Sequence, residues 1–117
     1  MEKSHALAAF GALSQETRLD AVRLLVRAGP DGLPAGEVAA RLGVRHNLMS
    51  SHLNVLSTAA LVTSERRGRL VLYRARFDTL RRLLGYLMND CCSGLPEIVA
   101  GLAPGTNDEV QTEGDIR

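Results

Sequence analysis

A mostly α-helical domain carrying one β-hairpin is the fold the sequence predicts, and three observations predict it. Apolar residues recur at helical spacing in short segments punctuated by glycine; two β-prone stretches flank Arg66-Arg67-Gly68-Arg69; and the 117-residue chain, 45% hydrophobic and 23% charged, has the size of one globular domain.

Residues 5–13 are alanine-rich with no β-branched residue and read as a short helix. Ser14 is positioned to cap the next helix, Glu16 sits in its first turn, and Gly29-Pro30 stops it. Along it Leu19, Val22, Leu25 and Val26 form the expected core stripe, with Arg18, Arg23 and Arg27 on wetter faces. Asp31-Gly32 is a turn. A helix over residues 34–42 follows, with Val38, Ala39 and Leu42 on one face, and Gly43 ends it. After Val44 and Arg45 a further helix begins, which Asn47 can cap and whose buried stripe is Met49, Leu53 and Leu56. Residues 61–65 and 70–73 make the hairpin. From Phe77 to about residue 90 a last helix shows Phe77, Leu80, Leu84, Leu87 and Met88 on a broad apolar face, a pattern that calls for a packing partner. Residues 1–102 are thus expected to form one domain, and residues 103–117 a disordered acidic tail.

Two short helices separated by about three residues including a glycine are the spacing of a helix-turn-helix, and a hairpin directly after the second makes it winged. Charge agrees. Residues 41–76 contain seven arginines against the single acid Glu65, whereas residues 91–117 hold one basic residue against five acids. Such a local excess suits a polyanion, although a solvated arginine-rich surface would look the same on charge alone. With no Trp, two Tyr and two Phe, stacking on single-stranded bases or on sugars is disfavoured. No apolar run approaches the length of a membrane span and no secretory leader is evident, so a cytoplasmic location with reduced thiols is expected for the two cysteines. No Ser-His-Asp set, paired acids, phosphate loop or Cys-x-x-Cys is present, so an enzyme is not expected.

On a helical wheel with Met49, Leu53 and Leu56 facing the core, Asn47, Ser51, Asn54 and Thr58 fall on the opposite side, while His52 is a half-buried packing residue. Short polar side chains there let a helix approach a groove and reach base edges or phosphate. Arg45 before the helix and Arg66, Arg67 and Arg69 in the hairpin are the candidate phosphate contacts.

Gln15-Glu16-Thr17-Arg18-Leu19, the run Asn47 to Leu56, and Gly68-Arg69 with Tyr73-Arg74 together resemble the ArsR family of bacterial metalloregulatory repressors, over about residues 5–100 and in the order α-α-α-α-β-β-α. The resemblance implies a homodimer paired through its first and last helices, bound to double-stranded DNA at an inverted-repeat operator and released by an inducer. Its DNA-contacting positions correspond here to His46, Asn47, Ser50 and Ser51. A dimer would set two reading helices about 34 Å apart, one turn of duplex.

Cys91 and Cys92 stand just before Gly94 and Pro96, where the last helix is expected to fail. Cys91 also continues the stripe of Leu80, Leu84 and Leu87, so plain apolar packing is the competing reading. A disulfide between neighbours is disfavoured because adjacent Cα atoms lie about 3.8 Å apart, short of the usual range of about 4.4–6.8 Å. Two thiolates suit soft trivalent arsenic or antimony better than zinc, which seeks four ligands. The pair is similar to that of arsenic-responsive members of the family, with Ile98 and Val99 where a third cysteine normally follows. Two sulfurs match an organoarsenical such as methylarsenite, which keeps one carbon bond, better than arsenite with its three exchangeable positions. The expectation is a repressor induced by a trivalent arsenical, with no organic cofactor. The alternatives are a thiol-based redox or persulfide sensor, and a metalloid-binding interaction protein without an operator.

Overall fold

The computed structural model describes the backbone of residues 1–92 and the side chains of residues 1–88; Met1–Leu83 form one compact unit, and a second begins at Leu84. The expected tail and the side chains of Cys91 and Cys92 lie outside the described residues. The order is α1 (Lys3–Leu13), α2 (Glu16–Ala28), a 3-10 turn (Gly29–Asp31), β1 (Leu33–Pro34), α3 (Ala35–Leu42), α4 (His46–Thr58), β2 (Val62–Arg67), β3 (Leu70–Ala75) and α5 (Phe77–Cys92). This is the expected winged helix-turn-helix with one addition. Leu33 and Pro34 pair antiparallel with Tyr73 and Leu72, so the hairpin is two strands of a three-stranded sheet ordered β1-β3-β2.

The core is built from Leu25, Val38, Met49, Leu53, Leu56 and Leu61, all fully buried, with Val62 and Tyr73 closing it from the sheet. The stripe read for α4 is therefore the one observed. That of α2 is rotated. Ala21, Val22, Leu24 and Leu25 are buried, whereas Leu19 and Val26 are 44% and 38% exposed and line an apolar hollow with Leu13, Val22 and Leu80. Among the described residues of α5, Thr79 and Leu83 are buried while Phe77, Leu84 and Leu87 of the broad apolar face are exposed in the single chain.

Both expected caps shift. Ser14 closes α1 by donating its hydroxyl to the Gly11 carbonyl at 2.9 Å, and Gln15 caps α2, its Oε1 accepting the Arg18 N–H at 2.9 Å. A two-residue link forces adjacent residues to serve different helices. Likewise α4 begins one residue before Asn47, with Arg45 in the extended N-cap conformation, and the Asn47 Oδ1 accepts the Leu48 N–H at 2.9 Å. Gly43, at φ +66°, makes the left-handed turn that ends α3, and the Val44 N–H returns to the Ala39 carbonyl at 3.0 Å. That tight return fixes the angle at which α4 leaves.

Arg18 is not on a wet face as expected. Half-buried, it donates from Nε to the Ala12 carbonyl at the end of α1, and its Nη1 lies 3.3 Å from His52 Nδ1 on α4. Arginine can only donate, so the ring nitrogen accepts. His52 is half-buried, as its place on the wheel implied.

Candidate nucleic-acid interface

The first turn of α4 is presented to solvent because its core side chains, Met49 and Leu53, begin only one turn in. Arg45, His46, Asn47 and Ser51 are exposed and Ser50 is half-buried. The wing stands beside this turn. His46 and Ser50 share a cleft of about 430 Å³ with Arg69 and Leu70 at the hairpin tip and with Val71 and Tyr73 farther down β3, while Pro34 and Glu37 close it from the α3 side. Three of the expected residues, His46, Ser50 and Arg69, are therefore brought to one surface, with Asn47 and Ser51 following on the same exposed helix. The free N–H groups of a helix N-terminus and the Arg45 and Arg69 guanidiniums bring positive charge to that side, the sign that draws a phosphate backbone, while Glu37, the acid lining the cleft, is paired with Arg41 at 2.7 Å.

Asn54 and Thr58, also on the outward side of the wheel, are not part of it. They line a shallow groove against Ala8, Gly11 and Ala12 of α1.

The wing is longer than read, with Arg66 and Arg67 inside β2 and only Gly68 and Arg69 in the turn. Gly68 has φ +62° and open space where a Cβ would be. The arginines then divide. Arg67 Nε binds Glu65 Oε2 at 3.1 Å, and Arg74 Nη1 binds Glu65 Oε1 at 2.9 Å. Those guanidiniums, Arg67 foremost, hold the Glu65 carboxyl below its ordinary value of 4.5. Arg74 also donates from Nε to the Pro30 carbonyl at 2.9 Å, fastening β3 to the 3-10 turn. Among the described residues Arg45, Arg66 and Arg69 make no ion pair. Reading the sequence for cations missed this partition; the signal was there in Glu65 and Arg67 two apart on one strand, since alternate strand residues share a face.

A second ion-pair group opens α5. Asp78 Oδ2 lies 3.3 Å from Arg76 Nη2 and 3.9 Å from Arg82 Nη2, and Arg76 first among its neighbours lowers its pKa from the ordinary 3.8. Among the described residues no group of three or more His, Cys, Asp or Glu could hold a metal ion, and no helix is long and apolar enough to cross a membrane. The helix α5 runs through Cys91 and Cys92 as its final two residues.

Residues 13–65 match a family model described as a helix-turn-helix domain. Over 80 residues the chain is 29% identical to the transcriptional repressor SdpR of Bacillus subtilis (strain 168), covering 68% of this chain and 86% of that protein. A solved ArsR-like transcriptional regulator from Rhodococcus sp. RHA1 is 30% identical, with a TM-score of 0.68, covering 83% of this chain and 89% of that one. A homodimeric winged helix-turn-helix DNA-binding domain from Mycobacterium bovis shares the fold at 19% identity and a TM-score of 0.62, covering 97% and 89%. These relatives are regulators, not enzymes.

Proposed function

Because the chain belongs to the ArsR family of DNA-binding transcriptional regulators, we propose that it is a cytoplasmic homodimeric repressor whose hold on an inverted-repeat operator is loosened when a trivalent arsenical binds Cys91 and Cys92. The observation that carries the DNA half is the cleft where His46 and Ser50 at the start of α4 meet Arg69 of the wing. Asn47, Ser50 and Ser51 read base edges, and Arg45, Arg66 and Arg69 supply phosphate contacts that give affinity more than sequence choice, whereas Arg67, expected among them, is paired with Glu65.

The inducer half rests on the donor set. Adjacent thiolates are soft and can deliver two bonds to one atom, which matches a methylated or aryl trivalent arsenical; arsenite retains one further position for a small thiol or water. Side chains one residue apart on a continuous helix diverge by about 100°. Two sulfurs can therefore close on one arsenic only if the final turn of α5 leaves helical geometry. In a dimer paired through α1 and α5, that change alters the spacing of the two DNA-reading heads. A coupling of about 1–3 kcal/mol weakens operator binding about 5- to 150-fold, enough for derepression.

The experiment is a mobility-shift series on the chain's own promoter with methylarsenite, arsenite, zinc and peroxide. Methylarsenite is expected to release the DNA at the lowest concentration. Cys91→Ser and Cys92→Ser are each expected to keep DNA binding and lose release. Loss of DNA binding in either variant assigns the cysteines to packing instead, and release by peroxide without arsenic makes the protein an oxidant sensor.

A further inference from the structure

In the wing, β2 and β3 pair Thr63 with Arg74, Glu65 with Leu72 and Arg67 with Leu70. Alternation then puts Glu65, Arg67 and Arg74 on one face of the ribbon and Arg66, Val71 and Tyr73 on the other. Leu70 of the first face reaches the cleft beside the turn, and along the rest of the ribbon the second face is the one turned to the reading helix, since Val71 and Tyr73 line the cleft that holds His46 and Ser50. Arg66 shares that face and Arg69 lies in the cleft itself, so the two wing arginines without ion pairs among the described residues are those beside the DNA-reading surface.

The other two face away and are held by Glu65, the sole acid between residues 41 and 76. They are not held equally. Arg74 has a second anchor in the Pro30 carbonyl at 2.9 Å, whereas Arg67 meets the Glu65 carboxylate alone, at 3.1 and 3.5 Å from its two oxygens. Without Glu65, Arg74 would keep its place on the 3-10 turn, and Arg67, near the tip, would be free to swing toward a passing phosphate.

We propose that Glu65 is an affinity-limiting positioning residue of the wing, its carboxylate occupying Arg67 so that each wing offers the DNA backbone one cation fewer than the sequence supplies. This deepens the DNA-binding reading above and rests on it. A repressor released by a coupling of limited size gains from such restraint, because every phosphate contact added to operator binding also strengthens attachment to all other DNA and must be overcome on induction.

The test uses the full chain and a mixed-sequence DNA duplex longer than one helical turn, to which attachment is almost wholly through phosphate. Affinity is measured by fluorescence anisotropy across a salt series. Each additional phosphate contact steepens the log–log salt dependence by about 0.9. For each wing engaged, Glu65→Gln should therefore steepen the slope by about 0.9, so that its affinity relative to wild type grows about 8-fold for each tenfold dilution of salt. Glu65→Thr, whose branched side chain favours strands, should steepen it equally, which separates lost charge from a loosened hairpin. The double variant Glu65→Gln/Arg67→Gln should return to the wild-type slope. Slopes in both Glu65 variants equal to or shallower than wild type overturn the proposal, as does a double variant that stays steep. A wild-type protein with no salt-dependent binding overturns the DNA-binding reading itself, a result distinct from the others.

Discussion

Substituting alanine at Gly32 should cost far more stability than the same change three residues earlier. Gly29 and Gly32 have nearly the same backbone, φ 76° with ψ −160° and φ 69° with ψ −168°. That is a region open essentially only to glycine, and holding another residue there costs about 1–3 kcal/mol. The surroundings differ. A Cβ on Gly29 meets nothing within 4 Å, whereas one on Gly32 would overlap the Tyr73 carbonyl oxygen and fall 2.8 Å from Arg74 Cγ. The oxygen is backbone of the central strand, held by β1 on one side and β2 on the other, so it cannot yield alone. The chain on the Gly32 side must lift, and with it go the β1 pairings of Leu33 and Pro34, at about 1 kcal/mol for each hydrogen bond lost. Each ladder bond lost therefore adds about 1 kcal/mol to the strain of about 1–3 kcal/mol that Gly32→Ala shares with Gly29→Ala. A domain of this size is stable by only about 5–15 kcal/mol. Urea unfolding of both variants, followed by circular dichroism, reads the difference directly. Equal losses, or a greater loss at Gly29, would refute the argument that close approach to β3 makes Gly32 indispensable.

Two further outcomes follow from side-chain ties. Arg18→Met keeps the length of the side chain but strips the Ala12 carbonyl of its donor and His52 of its partner, and thermal unfolding should show a loss of about 1.5–3 kcal/mol, the worth of hydrogen bonds to a charged group; an unchanged midpoint would mean water replaces them. Glu65 and Asp78 both have carboxyl pKa values lowered in the folded state, so their stabilisation is complete above the ordinary carboxylate values of 4.5 and 3.8 and is lost as pH falls through the folded ones. Glu65→Gln/Asp78→Asn should therefore lose less stability than wild type on acidification below that range, and parallel acid-unfolding curves would show that these pairs contribute nothing.

The sequence disclosed most where one helix face decides burial. Met49, Leu53 and Leu56 recur at a spacing that admits one stripe, and the structure buries all three. It disclosed less where elements pack on a helix from several sides, as on α2, whose burial includes Ala21 and leaves out Leu19 although leucine is the larger apolar side chain. β1 could not be read because two residues carry no period and their partner strand lies about forty residues onward. The caps misled for a related reason. Ser outranks Gln as an N-cap in general, yet Ser14 is occupied by the helix before it. Of the interface, the reading helix and the arginine-rich wing were legible as composition; which arginines are committed to Glu65 depended on strand register, which a turn one residue longer or shorter would have reversed.

The first helix rests on its neighbours through Ala6, Ala9 and Ala12, three methyl groups with almost no exposure. Ala9 has no exposure at all, so a larger side chain there has to displace what surrounds it. A valine or leucine at Ala9 would act as a wedge, raising the whole segment and drawing the Ala12 carbonyl off the guanidinium of Arg18, which also reaches the reading helix. A change at a site that touches no DNA would thus travel, through a single arginine, to the element that does.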